Sequence, residues 1–352
     1  MTPQATNMHV KVRTAMNRTI SLLFCLVFAS TDAAARSAVH EHPGQREFLR
    51  DLVALAQAEN IALDQDAVQR TLKQARYQQS IIDAISRPAE AKPWKDYRPI
   101  FMTPARIADG VAFYRDNREL LERTAQQYGV PAELVVAIIG VETNYGRIIG
   151  KYKVIDALVT LGFYYEPRRA FFRGELQRLF LLPGAQFPFA LDELTGSYAG
   201  AMGWGQFMPS SWARFAQDAD ADGHIDLWRS KPDIFASIAN YFVGHGWVSQ
   251  GPVAHAANSA PSARALTLSG YEPVYSVGQL AEWGYHAEPQ LDPHLPATLI
   301  KLDGAQGPEF WLTHQNFFVI TRYNRSPLYA MAVYQLAQAI AEGARADATA
   351  RR

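Results

Sequence analysis

The chain has 352 residues, 48% of them apolar, which is enough for one large domain or two to three lobes around a shared core. Lysine plus arginine and aspartate plus glutamate both total 34, so the formal charge is zero. The basic excess expected of a nucleic-acid binder is missing, and charge gives no argument for a membrane surface as partner.

Lys11, Arg13 and Arg18 precede the apolar run from Ile20 to Ala29, and small residues follow, ending Ala33-Ala34-Ala35. This is the layout of a secretory signal peptide, predicted over 1–35. The run is shorter than the roughly 20 residues that span a bilayer. The single cysteine, Cys25, lies inside it with Leu23-Phe24 just before, where a lipoprotein signal has small residues. Cleavage after Ala35 is therefore favoured over lipid anchoring through Cys25. A mature chain without cysteine has no disulfide, thiolate metal site or cysteine nucleophile.

Residues 45–87 read as two helices: Phe48, Leu49, Leu52, Val53 and Ala56 share a face up to a stop at Asn60, and Asp64 caps a second helix carrying Val68, Leu72, Ile81, Ile82 and Ile85. Another helix is predicted around 104–128. Pro131 opens a strongly apolar helix that runs through Glu142. Helical patterns continue through 154–182, and a Gly-rich stretch from Gly196 to Gly205 leads into a helix near 210–216. After an acidic loop, 234–246 is helical again. From about 251 the pattern changes to alternating runs, with strands predicted at 265–268, 298–302, 310–312 and 317–320. A last helix is predicted near 328–341, followed by a small, charged tail that frays.

Leu134, Val135, Ile138 and Ile139 form the apolar stripe of the 131–142 helix, and Glu142, four residues after Ile138, prolongs it. Burial raises a carboxylate's pKa and keeps a proton available for general-acid work. A buried Glu held by an arginine, or a surface Glu just past the stripe, fits the same pattern. Asn144, Tyr145 and Arg147 beside it can donate hydrogen bonds to a polar ligand. Downstream, the segment from Gly196 to Ser210 mixes glycines, aromatics and Gln206. Glycines let backbone approach a ligand, aromatic faces stack on sugar rings, and amides bind hydroxyls.

The pair Gly-Val-Glu-Thr-Asn-Tyr-Gly (140–146) and Gly-Ala-Met-Gly-Trp-Gly-Gln-Phe-Met-Pro-Ser-Ser (200–211) resembles the lytic murein transglycosylase B family. The resemblance runs from about Trp94-Lys95-Asp96-Tyr97-Arg98 to Ile320-Thr321-Arg322-Tyr323-Asn324, with Tyr329 to Val333 beyond. It implies an α+β, mostly helical fold: a lysozyme-like core, an N-terminal helical lobe and a small C-terminal β lobe. Residues 36–100, with part of 150–190, would form the helical lobe. The catalytic core would span 101–250, the β-containing lobe 251–320, and the last core helix and tail 321–352.

The resemblance also implies the chemistry. Such enzymes cut the β-1,4 bond between N-acetylmuramic acid and N-acetylglucosamine in peptidoglycan without water. One Glu, matching Glu142, acts as acid and then base while the muramyl C6 hydroxyl closes a 1,6-anhydro ring. A hydrolase would need a second carboxylate; the stretch 195–217 contains none, whereas Asp156, Glu166, Asp192 and Glu193 lie outside it. A muramidase-type hydrolase and a non-catalytic glycan-binding protein are the alternatives. Ser197 and Gln206 match polar cleft residues. Tyr97, Tyr241, Tyr323 and Tyr329 match groove-lining contacts, and Arg168 and Arg169 match an arginine pair suited to lactyl or peptide carboxylates. The expected partners are peptidoglycan glycan strands and proteins of cell-wall synthesis, in the periplasm, for a monomer that needs no catalytic cofactor.

The loop Asp218-x-Asp220-x-Asp222-Gly223-His224 has calcium-loop spacing, with His224 offering its backbone carbonyl. The twelfth position, usually a bidentate Glu, is Arg229. The resemblance implies a longer loop closing at Asp233, with structural calcium, or sodium, as occupant.

Overall fold

The computed structural model describes residues 41–87, 92–266 and 270–350. The signal-peptide and Cys25 readings, and Thr267 and Leu268 of one predicted strand, lie outside the described residues; Ala265 and Leu266 are not in a strand. Helix α1 (Gln45–Ala58) buries Phe48, Leu52 and Ala56 and stops before Asn60, which has left-handed backbone (φ 55°). The pattern over 64–87 suggests one helix, but the chain forms two: α2 (Gln65–Gln74), capped by the Asp64 side chain, and α3 (Gln79–Ile85). The interruption is tertiary in origin. The Arg76 N–H donates to the Asp156 carboxylate at 2.9 Å and the Gln78 N–H to the Thr160 hydroxyl at 3.1 Å, so side chains of another helix replace the helical acceptors.

Helices α4 (Trp94–Phe101), α5 (Pro104–Asp116) and α6 (Arg118–Tyr128) follow. The single helix expected around 104–128 is divided at Asn117, whose amide donates to the Phe113 carbonyl at 2.8 Å, a local bond that competes with helical continuation. Helix α7 (Ala132–Thr143) carries Leu134, Val135, Val136, Ile138 and Ile139, all at most 3% exposed. It is buried on every side rather than along one stripe. Each such side chain contributes about 1.5–3 kcal/mol by burial. Polar residues emerge at its ends, Glu133 in the first turn and Glu142 in the last, both half-buried.

Strand β1 (Tyr152–Lys153) leads into α8 (Val154–Tyr164), a 3-10 turn (Glu166–Arg168) and α9 (Arg169–Phe180). Strand β2 (Thr195–Gly196) pairs antiparallel with β1, Tyr152 opposite Gly196. Helices α10 (Pro209–Phe215) and α11 (Lys231–Gly244) complete this part.

Five antiparallel strands come next: β3 (Ala254–Ser259), β4 (Tyr275–Ser276), β5 (Tyr285–Ala287), β6 (Pro296–Gly304) and β7 (Gly307–Thr313). Their spatial order is β4-β6-β7-β3-β5, and α12 (Val277–Glu282) packs against them. Alternation along β6 divides its side chains between two cores. Ala297 and Leu299 join Val277, Leu280, Tyr285 and Leu312 in a small cluster, whereas Ile300 and Leu302 enter the main core.

Helices α13 (Gln315–Tyr323) and α14 (Pro327–Ala350) close the chain. The strand expected over 317–320 is part of α13. A short apolar run fits either state, and here Phe317, Val319, Ile320 and Thr321 are all buried, without a strand's alternation. The tail expected to fray continues α14 as far as Ala350. Gly343 lets it lie against α5, where a Cβ would come within 2.5 Å of the Val111 Cγ2, and Asp347 pairs with Arg115 at 3.9 Å.

Candidate active site

Helix α7 ends in an uncommon way. Asn144 and Tyr145 both have left-handed backbone, φ 50° and 60°, a conformation that costs energy in residues bearing a Cβ. The N–H groups of both residues donate to the Ile139 carbonyl, and the Tyr145 hydroxyl donates to the Arg106 carbonyl at 2.7 Å. Gly146 follows at φ 81°, and a Cβ there would sit 2.5 Å from the Trp204 ring. The Thr143 hydroxyl lies 3.1 Å from both the Ile139 and Trp204 carbonyls and accepts the Gly146 N–H at 3.1 Å. The end of α7 and the Gly-rich segment are therefore one hydrogen-bonded unit, with Glu142 one residue from the joint.

The Gly-rich segment curls back on itself. Gly196 bridges Met202, and Met202 bridges Phe207. The Ser197 hydroxyl oxygen accepts the Ala199 and Ala201 N–H groups at 3.2 and 3.0 Å, which fixes the turn. Gln206, at φ 51°, donates its amide to the Ile149 carbonyl at 3.0 Å and the Gly203 carbonyl at 2.9 Å. Both residues thus shape the loop beside the carboxylate.

Three tyrosines surround Glu142. The Tyr329 hydroxyl of α14 donates to Glu142 Oε1 at 2.5 Å. Tyr323, at the end of α13, donates to the Gly205 carbonyl at 2.7 Å, and Tyr241 of α11 donates to the Arg322 carbonyl at 2.6 Å. Burial pushes the Tyr323 and Tyr329 phenols well above the ordinary range and Tyr241 up to about 12, with the negative charge of Glu142 adding to each. All three stay protonated donors across the working pH range. Tyr97, 3% exposed, packs on Trp94 and Phe101 and also acts on Tyr329. Among the described residues, Glu142 is the one carboxylate whose charge perturbs these three tyrosines.

Other sequence candidates are engaged elsewhere. Arg147 pairs with Asp109 in an exposed contact. Arg169 pairs with Glu166, while the Arg168 guanidinium lies 4.3 Å from the Phe171 ring centroid. Asp156 is buried and accepts from the Arg76 backbone and the Gln78 amide, so it holds the α2–α3 junction. Asp192 and Glu193 are exposed. Thr143 was not singled out by sequence; a hydroxyl beside the candidate Glu was the available signal. Buried Glu175 was missed too. Burial raises its pKa, and it accepts the Ser210 N–H at 2.9 Å and hydroxyl at 2.7 Å, which anchors α10.

The acidic loop brings carboxylate oxygens of Asp218, Asp220 and Asp222 within 4.8 Å of one another. The Asp218 carboxylate also accepts the Asp222 and Gly223 N–H groups, at 3.2 and 3.0 Å. Three oxygen donors on a turned loop suit a hard cation. Asp233 is not in this group. It is 1% exposed and its two oxygens accept the Ala219 and Asp226 N–H groups at 2.8 and 2.9 Å, which ties the loop's two arms to α11. The His224 N–H donates to the Asp222 carboxylate at 2.8 Å.

Known proteins resemble this chain over most of its length. The Transglycosylase SLT domain model matches residues 44–338. Membrane-bound lytic murein transglycosylase B of Escherichia coli is 40% identical over 311 residues, covering 85% of this chain and 83% of that protein. The catenated lytic transglycosylase SltB1 of Pseudomonas aeruginosa is 46% identical and superposes with a TM-score of 0.78 over 85% of this chain and 97% of its own. Lytic transglycosylase Slt35 of E. coli, solved with calcium and with bulgecin A, is 39% identical with a TM-score of 0.76, covering 87% of this chain and 95% of its own. The mostly helical α+β fold and its small sheet are those of the lysozyme-like lytic transglycosylases. A family match over most of the chain and identity near 40% make this chain a member of the SLT-domain lytic transglycosylases.

Proposed function

We propose that this protein cleaves peptidoglycan glycan strands at the β-1,4 bond between N-acetylmuramic acid and N-acetylglucosamine, with Glu142 as sole acid and base. The carrying observation is the half-buried Glu142 at the end of α7, held by the Tyr329 hydroxyl within a ring of protonated tyrosines. Glu142 gives its proton to the glycosidic oxygen as the muramyl C1–O bond breaks, and N-acetylglucosamine leaves with a free 4-hydroxyl. The muramyl C6 oxygen then bonds to C1, its proton passes to the Glu142 carboxylate, and a 1,6-anhydro ring closes. The acid is regenerated without water. Tyr329 steadies the carboxylate in its ionised interval, and the donors Tyr241 and Tyr323 brace the walls.

Ser197 and Gln206 shape the sugar-binding loop, and buried Tyr97 backs the tyrosine ring at Tyr329. The Asp218–Asp220–Asp222 loop takes a structural calcium through its carboxylates, with Asp233 bracing the loop from behind. The calcium found with Slt35 supports this reading, and the ion has no part in the proton transfers. The signal-like N-terminus and the membrane-bound E. coli relative support work in the periplasm. Among the described residues no helix is long and apolar enough to cross a membrane.

The test is mass spectrometry of products from purified sacculi. Wild type should release anhydro-muropeptides, and Glu142→Gln should lose about 10²- to 10⁴-fold in rate. Reducing muramic ends would assign a hydrolase instead, and binding without release would assign a glycan-binding protein.

A further inference from the structure

Glu142 sits in a turn whose backbone is held from outside. In a regular helix the Gly140 carbonyl accepts the N–H four residues on, that of Asn144. That N–H is turned to the Ile139 carbonyl, which also takes the Tyr145 N–H at 3.2 Å. The end of α7 thus leaves a carbonyl without its helical donor, two residues before Glu142. The Arg106 guanidinium, reaching across from α5, donates to it. The Arg106 carbonyl in turn accepts the Tyr145 hydroxyl at 2.7 Å, three residues after Glu142. One residue of α5 therefore grips the chain on both sides of the carboxylate.

The surroundings fix this grip. The Thr103 hydroxyl accepts the Arg106 N–H at 3.1 Å, which sets its backbone in the first turn of α5. The guanidinium lies 5.6 Å from the Phe101 ring centroid, and that ring packs on Tyr97. Tyr145 is 6% exposed and fills the space between two glycines. A Cβ on Gly110 would come within 2.5 Å of its hydroxyl oxygen, and one on Gly140 within 2.8 Å of its ring. A larger residue at Gly110 would push the hydroxyl off the Arg106 carbonyl. Burial pushes the Tyr145 phenol above its ordinary range, so it stays a donor. The Arg147–Asp109 pair links the same segments a third time, but it is exposed and contributes little.

We propose that Arg106 is a positioning residue for Glu142, setting the direction in which the carboxylate faces the sugar. The inference rests on the reading of Glu142 as sole acid and base. In that reading one carboxyl group serves two substrate atoms in turn, the glycosidic oxygen and the C6 hydroxyl. A turn free to shift would serve one at the expense of the other. Displacing a reacting group by about 1 Å can cost about 10²-fold in rate. The hydrogen bonds of Arg106 go to Thr103, Gly140 and Tyr145, so its effect falls on kcat rather than KM.

The test is the split between kcat and KM for release of anhydro products from defined peptidoglycan oligomers by the full-length protein. Arg106→Met, which keeps the stem and removes the donor, should lower kcat by about 10- to 100-fold and leave KM within about twofold. Arg106→Lys, which returns a cationic donor, should recover most of that loss. Tyr145→Phe, which opens the grip on the other side, should lower kcat by about three- to tenfold at the same KM. Leu280→Ala, in the small cluster beside the sheet, is the comparison for lost stability, and its kcat per folded molecule should match wild type. Wild-type kcat in Arg106→Met would overturn the proposal. So would a loss in KM alone, or a loss no larger than that of Leu280→Ala at equal melting temperature. If Arg106→Met does not fold, wild-type kcat in Tyr145→Phe overturns it instead. Glu142→Gln separates the two readings. Wild-type rate in Glu142→Gln would refute the catalytic reading itself, whereas an inactive Glu142→Gln beside an unaffected Arg106→Met would refute the positioning role alone.

Discussion

Tyr329→Phe removes one atom, the hydroxyl that donates to Glu142 Oε1 at 2.5 Å, from a side chain only 3% exposed. The ring still fills its place in α14, so packing is retained. The hydrogen bond to Glu142 and its charge help raise the tyrosine's pKa. By linkage, the same contact favours the ionised carboxylate over the protonated one. A hydrogen bond to a charged group is worth about 1.5–3 kcal/mol. On the proposed mechanism the first chemical step needs a proton on Glu142, so kcat/KM should fall as pH rises through its ionisation. In Tyr329→Phe this alkaline limb should move to higher pH. Activity at the wild-type optimum should also fall, on the order of tenfold, because the carboxylate loses one hydrogen bond that orients it. The assay is kcat/KM for anhydro-muropeptide release between pH 4 and 9, with melting temperature as a folding control. An unmoved limb with unchanged kcat/KM would refute the argument, and a lowered melting temperature with an unmoved limb would reduce Tyr329 to packing.

Thr143→Val keeps shape but removes the hydroxyl joining α7 to the Trp204 carbonyl and the Gly146 N–H. It should destabilise the fold by about 1–3 kcal/mol and depress activity beyond that of an equally destabilised core variant, measured by denaturant unfolding beside kinetics. Adding calcium at about 100 times its dissociation constant should stabilise the protein by about 2.7 kcal/mol, and Asp220→Ala should abolish the increment; an unchanged melting temperature on chelation would count against the loop. Asp233→Ala should destabilise even without calcium, since the Ala219 and Asp226 N–H groups lose the carboxylate that accepts them, and scanning calorimetry in chelator tests this. The pH dependence of stability has a definite sign. Burial lowers the pKa of both His255 and His314, which share a 3.0 Å hydrogen bond while His314 donates to the Pro296 carbonyl. Above the ordinary histidine value of about 6.5 both are neutral folded and unfolded, and as pH falls through it the unfolded chain takes up protons first. Melting temperature should thus drop from pH 7 to 5, and the His255→Gln, His314→Gln double variant should show a shallower drop.

What the sequence determined is mostly local. Apolar spacing marked α1, α7 and α11, because a helix buries whatever recurs every three to four residues. The spacing of Asp218, Asp220 and Asp222 was enough to bring their carboxylates together, since one turn of loop needs no distant partner. The two Gly-containing motifs marked the backbone that packs beside Glu142, and their resemblance to a known family carried the tyrosines with it. The tertiary structure decided the rest. The stripe ending at Glu142 could not set its exposure, because α7 is buried all round and the carboxylate emerges only where the helix ends. Asp156 and Thr160 divide the helix expected over 64–87 from about 80 residues away, and the apolar run at 317–320 became helix where an isolated run allows either state. Arg169 found Glu166, whereas Arg322 and Arg325 found a cavity, although the sequence treats all three as equivalent cations. The bond between Glu142 and Tyr329 joins residues 187 positions apart. Periodicity reaches only along one element, so the partner of a buried carboxylate is set by which elements pack together, and that is decided by the whole core.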